Sequence, residues 1–242
     1  MTTAPPAIIR RVSAEFVGSA SLTTIVVGSG VAATNLTDDV GLQLLINAIV
    51  TAFGLFVLIT VLGPLSGGHF NPLVSVVDHA LGLRRLRDVG PYILAQVFGC
   101  IAGSILANAM FELPLVAWST TDRATAGHLL AEVVATAGLI FIIFALARTG
   151  RAHFAAAVVA SYIGAAYFFT SSTSFANPAI TLGRMFSDSF AGIAPTSVLP
   201  YLGAQILGAF VGFAAVKLLT PARPHPTANP VLATAQPNAT TA

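Results

Sequence analysis

Six long stretches nearly free of charge constrain this chain before anything else does. They run over roughly 8–33, 41–62, 89–111, 127–147, 153–172 and 195–219, and Glu15 and Glu132 are the only acids well inside them. A helix needs about 20 predominantly apolar residues to cross the hydrocarbon of a bilayer, and each run is near that length. Closed helices satisfy their own backbone groups there. The expected fold class is therefore an all-α integral membrane protein with six spans. Composition agrees, with 55% hydrophobic residues, 8% charged residues and a mean hydropathy of +0.84. A soluble domain carries about 25% charged residues, so lipid must cover much of this surface and a soluble enzyme is excluded. The net charge of +2 is too small to recruit nucleic acid, and Cys100 stands alone and cannot close an internal disulfide. Met1–Ser13 lacks the short apolar core and small-residue cleavage site of a secretory signal, so the first run is expected to be a retained span.

Basic residues set the expected orientation. Arg10 and Arg11 precede span 1, Arg84, Arg85 and Arg87 precede span 3, and Arg148 and Arg151 join spans 4 and 5. Lys217 and Arg223 close span 6, so nine of the eleven basic residues share one side, leaving Arg123 and Arg184 on the other. Asp38, Asp39, Glu112 and Asp122 fall in the opposite loops. The positive-inside rule then puts both termini in the cytoplasm and the chain in the cell membrane.

Two segments neither span nor look like ordinary loops. One runs from Gly63 to Val77 and contains Gly67-Gly68-His69-Phe70-Asn71-Pro72-Leu73; the other runs from Thr173 to Leu182 and contains Ala176-Asn177-Pro178-Ala179. Asn is a good helix N-cap and Pro suits the first helical position, so each Asn-Pro is expected to start a helix. Ten to twelve residues of helix cover ~15–18 Å, about half of the hydrocarbon core. These are expected to be half-helices that enter the membrane and turn back. Two amphipathic surface loops are the plainer reading, and the match between the segments weighs against it.

That match extends along the chain. Ala14-Glu15-Phe16 is echoed by Ala131-Glu132-Val133, and Ala95-Gln96-Val97-Phe98-Gly99 by Ala204-Gln205-Ile206-Leu207-Gly208. With Phe70-Asn71-Pro72 and Ala176-Asn177-Pro178, the echoes are offset by 117, 109 and 106 residues, so their order is kept. Gly103 and Gly212 complete a Gly-xxx-Gly in each half, the pattern of close helix packing. Three spans per half is an odd number, so the second half must be inverted. Inverted repeats with broken helices mark solute pathways. The two Asn-Pro starts should meet near the membrane centre, where two positive dipole ends repel cations and the Asn amides donate to a neutral oxygen.

The paired Asn-Pro motifs with their Glu and Gln echoes resemble the aquaporin and aquaglyceroporin family, the major intrinsic proteins, over residues 8 to about 219. The resemblance implies six tilted helices plus two half-helices, a homotetramer with one pore per subunit, and no cofactor. It divides the chain into a short cytoplasmic N-terminus at 1–7, a channel domain at 8–219 (repeats about 8–111 and 127–219) and a tail at 220–242. It makes Asn71 and Asn177 the pore asparagines, with half-helix starts at Pro72, Leu73, Pro178 and Ala179. Glu15 and Glu132 would support the re-entrant loops. Leu73 departs from the usual Ala, and Ile180 stands where the family normally has Arg. Arg184, four residues on, is not taken as its substitute. Counting from the asparagines puts the selectivity filter at Thr51, Ala165, Ser174 and Ile180, with Phe53 the alternative to Thr51. A small, uncharged set implies a wide constriction, similar to that of bacterial aquaglyceroporins that pass arsenite.

The expected function is passive conduction of small uncharged solutes such as glycerol or arsenous acid, with water. A water-selective channel is the alternative, and a secondary transporter coupled through Glu15 and Glu132 a distant one. Their matched positions favour a symmetric structural role over a proton relay. His69 is expected to be a satisfied loop histidine, and His79, His128 and His153 have no metal-ligand spacing. Ser66, Ser171, Ser172, Thr173 and Ser174 lack the Gly-x-Ser-x-Gly setting of a hydrolase nucleophile. Cys100 is expected to pack rather than react, and the Pro- and Thr-rich tail from Pro221 to be disordered.

Overall fold

The structure, a computed structural model, describes residues 7–221. Most of the expected N-terminal segment 1–7 and the tail beyond 221 lie outside the described residues. All the regular structure of the described residues is helical: α1 (Ile8–Leu36), α2 (Val40–Ser66), α3 (Pro72–Ala80), α4 (Leu86–Met110), α5 (Ala126–Arg148), α6 (Ala155–Phe169), α7 (Pro178–Arg184) and α8 (Pro195–Leu219), with a single 3-10 turn at Ala152–Phe154 before α6. Six helices are long and apolar enough to cross a membrane. The two half-helices are shorter than expected, at nine and seven residues. At about 1.5 Å per residue they reach some 13 Å and 10 Å.

Local chemistry explains the starts. Asn71 accepts from Leu73 N at 3.0 Å and Asn177 from Ala179 N at 3.0 Å, each with Pro at the first helical position. Asp39 caps α2 through Leu42 N at 2.8 Å, and Thr125 caps α5 through His128 N at 3.2 Å.

The two halves are built around one tight crossing each. In the first, α4 presses on α1 through Gly99 and Gly103, where a Cβ would sit 2.5 Å from Phe16 O and 2.2 Å from Ala20 O. In the second, α8 presses on α5 through Gly208 and Gly212, where a Cβ would lie 2.6 Å from Val133 O and 2.6 Å from Ala137 O. Lipid offers no hydrophobic drive between helices, so close packing at small residues does that work. The halves then interlock. Half-helix α7 packs on α4 and α1 of the first half, and α3 on α5 and α8 of the second. Leu73, where the resemblance leads one to expect Ala, is buried with Val74 and Val77 against Ile140, Phe144, Ala209 and Val216. Its extra bulk fills a seam between the halves.

The half-helices run in opposite senses. The chain after α7 pairs with the α4–α5 connection through Ala117 N to Phe186 O (3.1 Å), Ser119 N to Met185 O (3.0 Å) and Ala194 N to Thr121 O (2.7 Å). The far end of α3 lies on the other side, where Arg84 donates to Ser66 O at 3.1 Å.

Candidate functional site

Where the half-helices meet, the two asparagines cross. Asn71 Nδ2 donates to Ala176 O at 2.8 Å, and Asn177 Nδ2 donates to Phe70 O at 2.7 Å. Both carbonyls belong to the residue before the opposite asparagine. Phe70 and Ala176 reach this geometry at φ +48° and +47°, and Thr173 and Ser174 at +62° and +53°. The left-handed region costs a non-glycine residue about 1–2 kcal/mol, so four such residues in two short loops need firm anchors.

The buried acids are those anchors. Glu15 accepts from Ser66 Oγ (2.6 Å), His69 N (3.0 Å), Phe70 N (2.7 Å) and Gln96 Nε2 (2.8 Å). Glu132 accepts from Phe175 N (2.9 Å), Ala176 N (2.9 Å) and Gln205 Nε2 (2.6 Å). Each glutamine also reaches its half-helix, Gln96 to Ser75 Oγ at 3.0 Å and Gln205 to Thr181 Oγ1 at 2.9 Å. Every Glu and Gln echoed in the sequence lands in the same role in both halves. His69 is held by Ser75 Oγ at 2.9 Å on Nδ1 and by Arg84 Nη2 at 3.2 Å on Nε2. Cys100 is buried against α1 and α7, within packing distance of Gly183.

A cavity of about 590 Å³ runs past both asparagines. At one end it is lined by Gly63, Asp78, Arg84 and His153, and at the other by Thr51, Ile163, Tyr167, Ser174, Ile180 and Arg184. Thr51 is buried in this wall while Phe53 is 69% exposed on the outer face, so the geometry selects Thr51 of the two. Ser174 and Ile180 line the same cavity.

Ala165 does not. It lies on the outward face of α6, and Ile163 and Tyr167 occupy the inward face instead. Counting back a fixed number of residues from Asn177 crosses a loop whose length the count cannot know, and two residues of helix turn a side chain about 200°. The Tyr167 hydroxyl shares a hydrogen bond with Thr51 Oγ1 at 3.1 Å. A polar-tipped ring inside an apolar helix was the available signal, because a buried tyrosine hydroxyl needs a partner. A second missed echo is Pro91-Tyr92 with Pro200-Tyr201, whose rings are both fully buried. Arg184 is the larger surprise: it is 2% exposed, lines the cavity and stacks its guanidinium on Phe175, with Cζ 3.5 Å from the ring centroid.

The chain matches the Major intrinsic protein family over residues 2–175. It is 46% identical over 218 residues to aquaglyceroporin AqpS of Rhizobium meliloti (strain 1021), covering 90% of this chain and 93% of that one. It belongs to the major intrinsic protein family. Aquaporin NIP6-1 of Arabidopsis thaliana is 31% identical over 219 residues, with 86% of this chain and 68% of that one covered. The fold also matches the X-ray structure of the aquaglyceroporin from Plasmodium falciparum, with a TM-score of 0.65 at 20% identity over 88% of this chain and 97% of that one. This major intrinsic protein is thus a multi-pass membrane protein of a channel family.

Proposed function

We propose that this major intrinsic protein is a passive channel for small uncharged polyhydroxy solutes, glycerol and arsenous acid among them, with water. One observation carries the reading: a single cavity passes the crossed asparagines and reaches both half-helix ends. Two half-helix N-termini point their positive ends at its middle, which favours neutral solutes over cations. The 46% identical relative is named an aquaglyceroporin, in keeping with passage of glycerol-sized solutes.

In this reading Asn71 and Asn177 offer amide hydrogens to a passing oxygen, and Glu15 and Glu132 hold the loops that aim them. The filter consists of Thr51, Tyr167, Ser174 and Ile180. Tyr167 makes that wall bulkier than Ala165 would, while the Thr51 and Tyr167 hydroxyls supply hydrogen-bonding groups beside the apolar Ile180. A solute with several hydroxyls can exchange water for these groups on one side and pack carbon against Ile180 on the other. The protein sits in the cell membrane with both termini cytoplasmic, bounded by lipid and assembled as a homotetramer with one pore per subunit, and it needs no cofactor. The basic residues flanking α1, α4 and α5 support that orientation.

Stopped-flow swelling of proteoliposomes against glycerol, urea and arsenous acid, with water permeability measured in the same vesicles, tests the proposal. Rapid entry of at least glycerol or arsenous acid is expected. Fast water flux with exclusion of all three solutes would leave the water-selective alternative standing.

A further inference from the structure

The two half-helices carry opposite charges at the same position. Seven residues after Asn71 comes Asp78, and seven after Asn177 comes Arg184. Both line the cavity, one toward each mouth. Their surroundings differ. Asp78 is neutralised by Arg84, whose Nε donates to Oδ2 at 2.9 Å. Arg184 has no carboxylate within 4.0 Å among the described residues, and of its nitrogens only Nε reaches a protein acceptor, the Ala191 carbonyl. Its two Nη groups are left to the cavity it lines, while the face of Phe175 fixes the plane of the guanidinium. Arg123 also approaches this ring, with Cζ 5.3 Å from its centroid, and is held by Gly192 O (2.7 Å) and Phe190 O (3.0 Å). Ser174 Oγ, in the same wall, is buried with no hydrogen-bond partner.

We propose that Arg184 is the charge barrier and principal hydrogen-bond donor of this pore, set one helical turn farther toward the outer mouth than Ile180. Four residues of helix place it ~6 Å beyond Ile180 on the same face. A fixed guanidinium in a narrow, partly dehydrated passage repels cations and protons. Its free Nη groups and Ser174 Oγ together supply donors and an acceptor to a solute hydroxyl entering from outside. The apolar stretch at Ile180 then follows a charged gate rather than replacing one. This deepens the proposed function and rests on it only for the identity of the neutral solute.

The test uses the full chain in liposomes as wild type, Arg184→Leu and Arg184→Lys, with proton entry driven by a potassium diffusion potential and read by an internal dye. Removing one unit charge a few ångströms from the path should raise proton entry about tenfold in Arg184→Leu, with Arg184→Lys staying within about twofold of wild type. Arg184→Leu protein that elutes and inserts like wild type and leaks no more than it does overturns the proposal. Should Arg184→Leu not be recovered folded, Ser174→Cys reads the same charge with Arg184 in place. An anionic thiosulfonate should label it about tenfold faster than a cationic one from the outer side, with wild type as the control for Cys100. Equal rates overturn the proposal, as does loss of the preference on adding Arg123→Gln. Wild-type glycerol uptake in the same vesicles reports separately on the proposed function, since its absence leaves both charge measurements readable.

Discussion

At the scale of single residues the centre of the pore is a set of buried polar groups held mainly by one another. Asn177 gives its amide to Phe70 O, so Asn177→Asp would lose a donor and place a carboxylate where two helix dipoles converge. We expect cation leak or loss of folded protein, and a folded Asn177→Asp channel with unchanged neutral flux and no leak would remove Asn177 from the barrier. Glu15 holds four donors. Glu15→Gln keeps one acceptor oxygen and should lower stability moderately, whereas Glu15→Leu strands those donors at roughly 1–3 kcal/mol each. Thermal unfolding in detergent should separate the two variants widely. If both abolish flux equally with folding intact, Glu15 belongs to a proton-coupled transporter instead. Ile180→Arg adds a second guanidinium to an already bulky wall, so glycerol uptake should fall more than water permeability. Equal losses for both solutes would mean that Ile180 does not set the width of the opening.

At the scale of elements the decisive contacts are the two helix crossings. A Cβ on Gly103 would sit 2.2 Å from Ala20 O, while one on Gly203 would meet nothing within 4 Å. Gly103→Ala must therefore push α4 from α1 and should cost about 1–3 kcal/mol, as overpacking of a tight interior does. Gly203→Ala changes no contact and should be neutral or slightly stabilising. Comparing the two melting temperatures checks the argument, and equal shifts would mean that the crossing is not close-packed in the membrane. The crossings were legible beforehand because Gly-xxx-Gly recurs at matched places in the two halves. The extent of α3 and α7 was not, since the apolar run after each Asn-Pro continues past the helix end, and only Gly82, at φ +74°, marks the close of α3.

For the whole molecule, one cavity runs past both asparagines between the interlocked halves, and the proposed channel conducts through it without alternating between two mouths. Solute entry should rise linearly with concentration, show a low activation energy and ignore ion gradients. Initial glycerol uptake measured over a range of concentrations and temperatures, with and without a proton gradient, tests this. Saturation coupled to the gradient would favour the transporter reading.

Sequence alone determined the membrane class, the six spans, the inverted repeat and the pairing of Asn71 with Asn177 and Glu15 with Glu132. Each depends on local properties: run length against bilayer thickness, Asn-Pro as a helix start, and the recurrence of one pattern in two halves. Which side chains face the cavity was decided only by tertiary structure. A helical position two residues out of register points almost the opposite way, so Tyr167 and Ile163 line the wall while Ala165 faces outward. The partner of a charge is likewise not written beside it. Asp78 and Arg184 occupy equivalent places, yet among the described residues the fold brings Arg84 to one and no carboxylate to the other, and on that difference the role proposed for Arg184 rests.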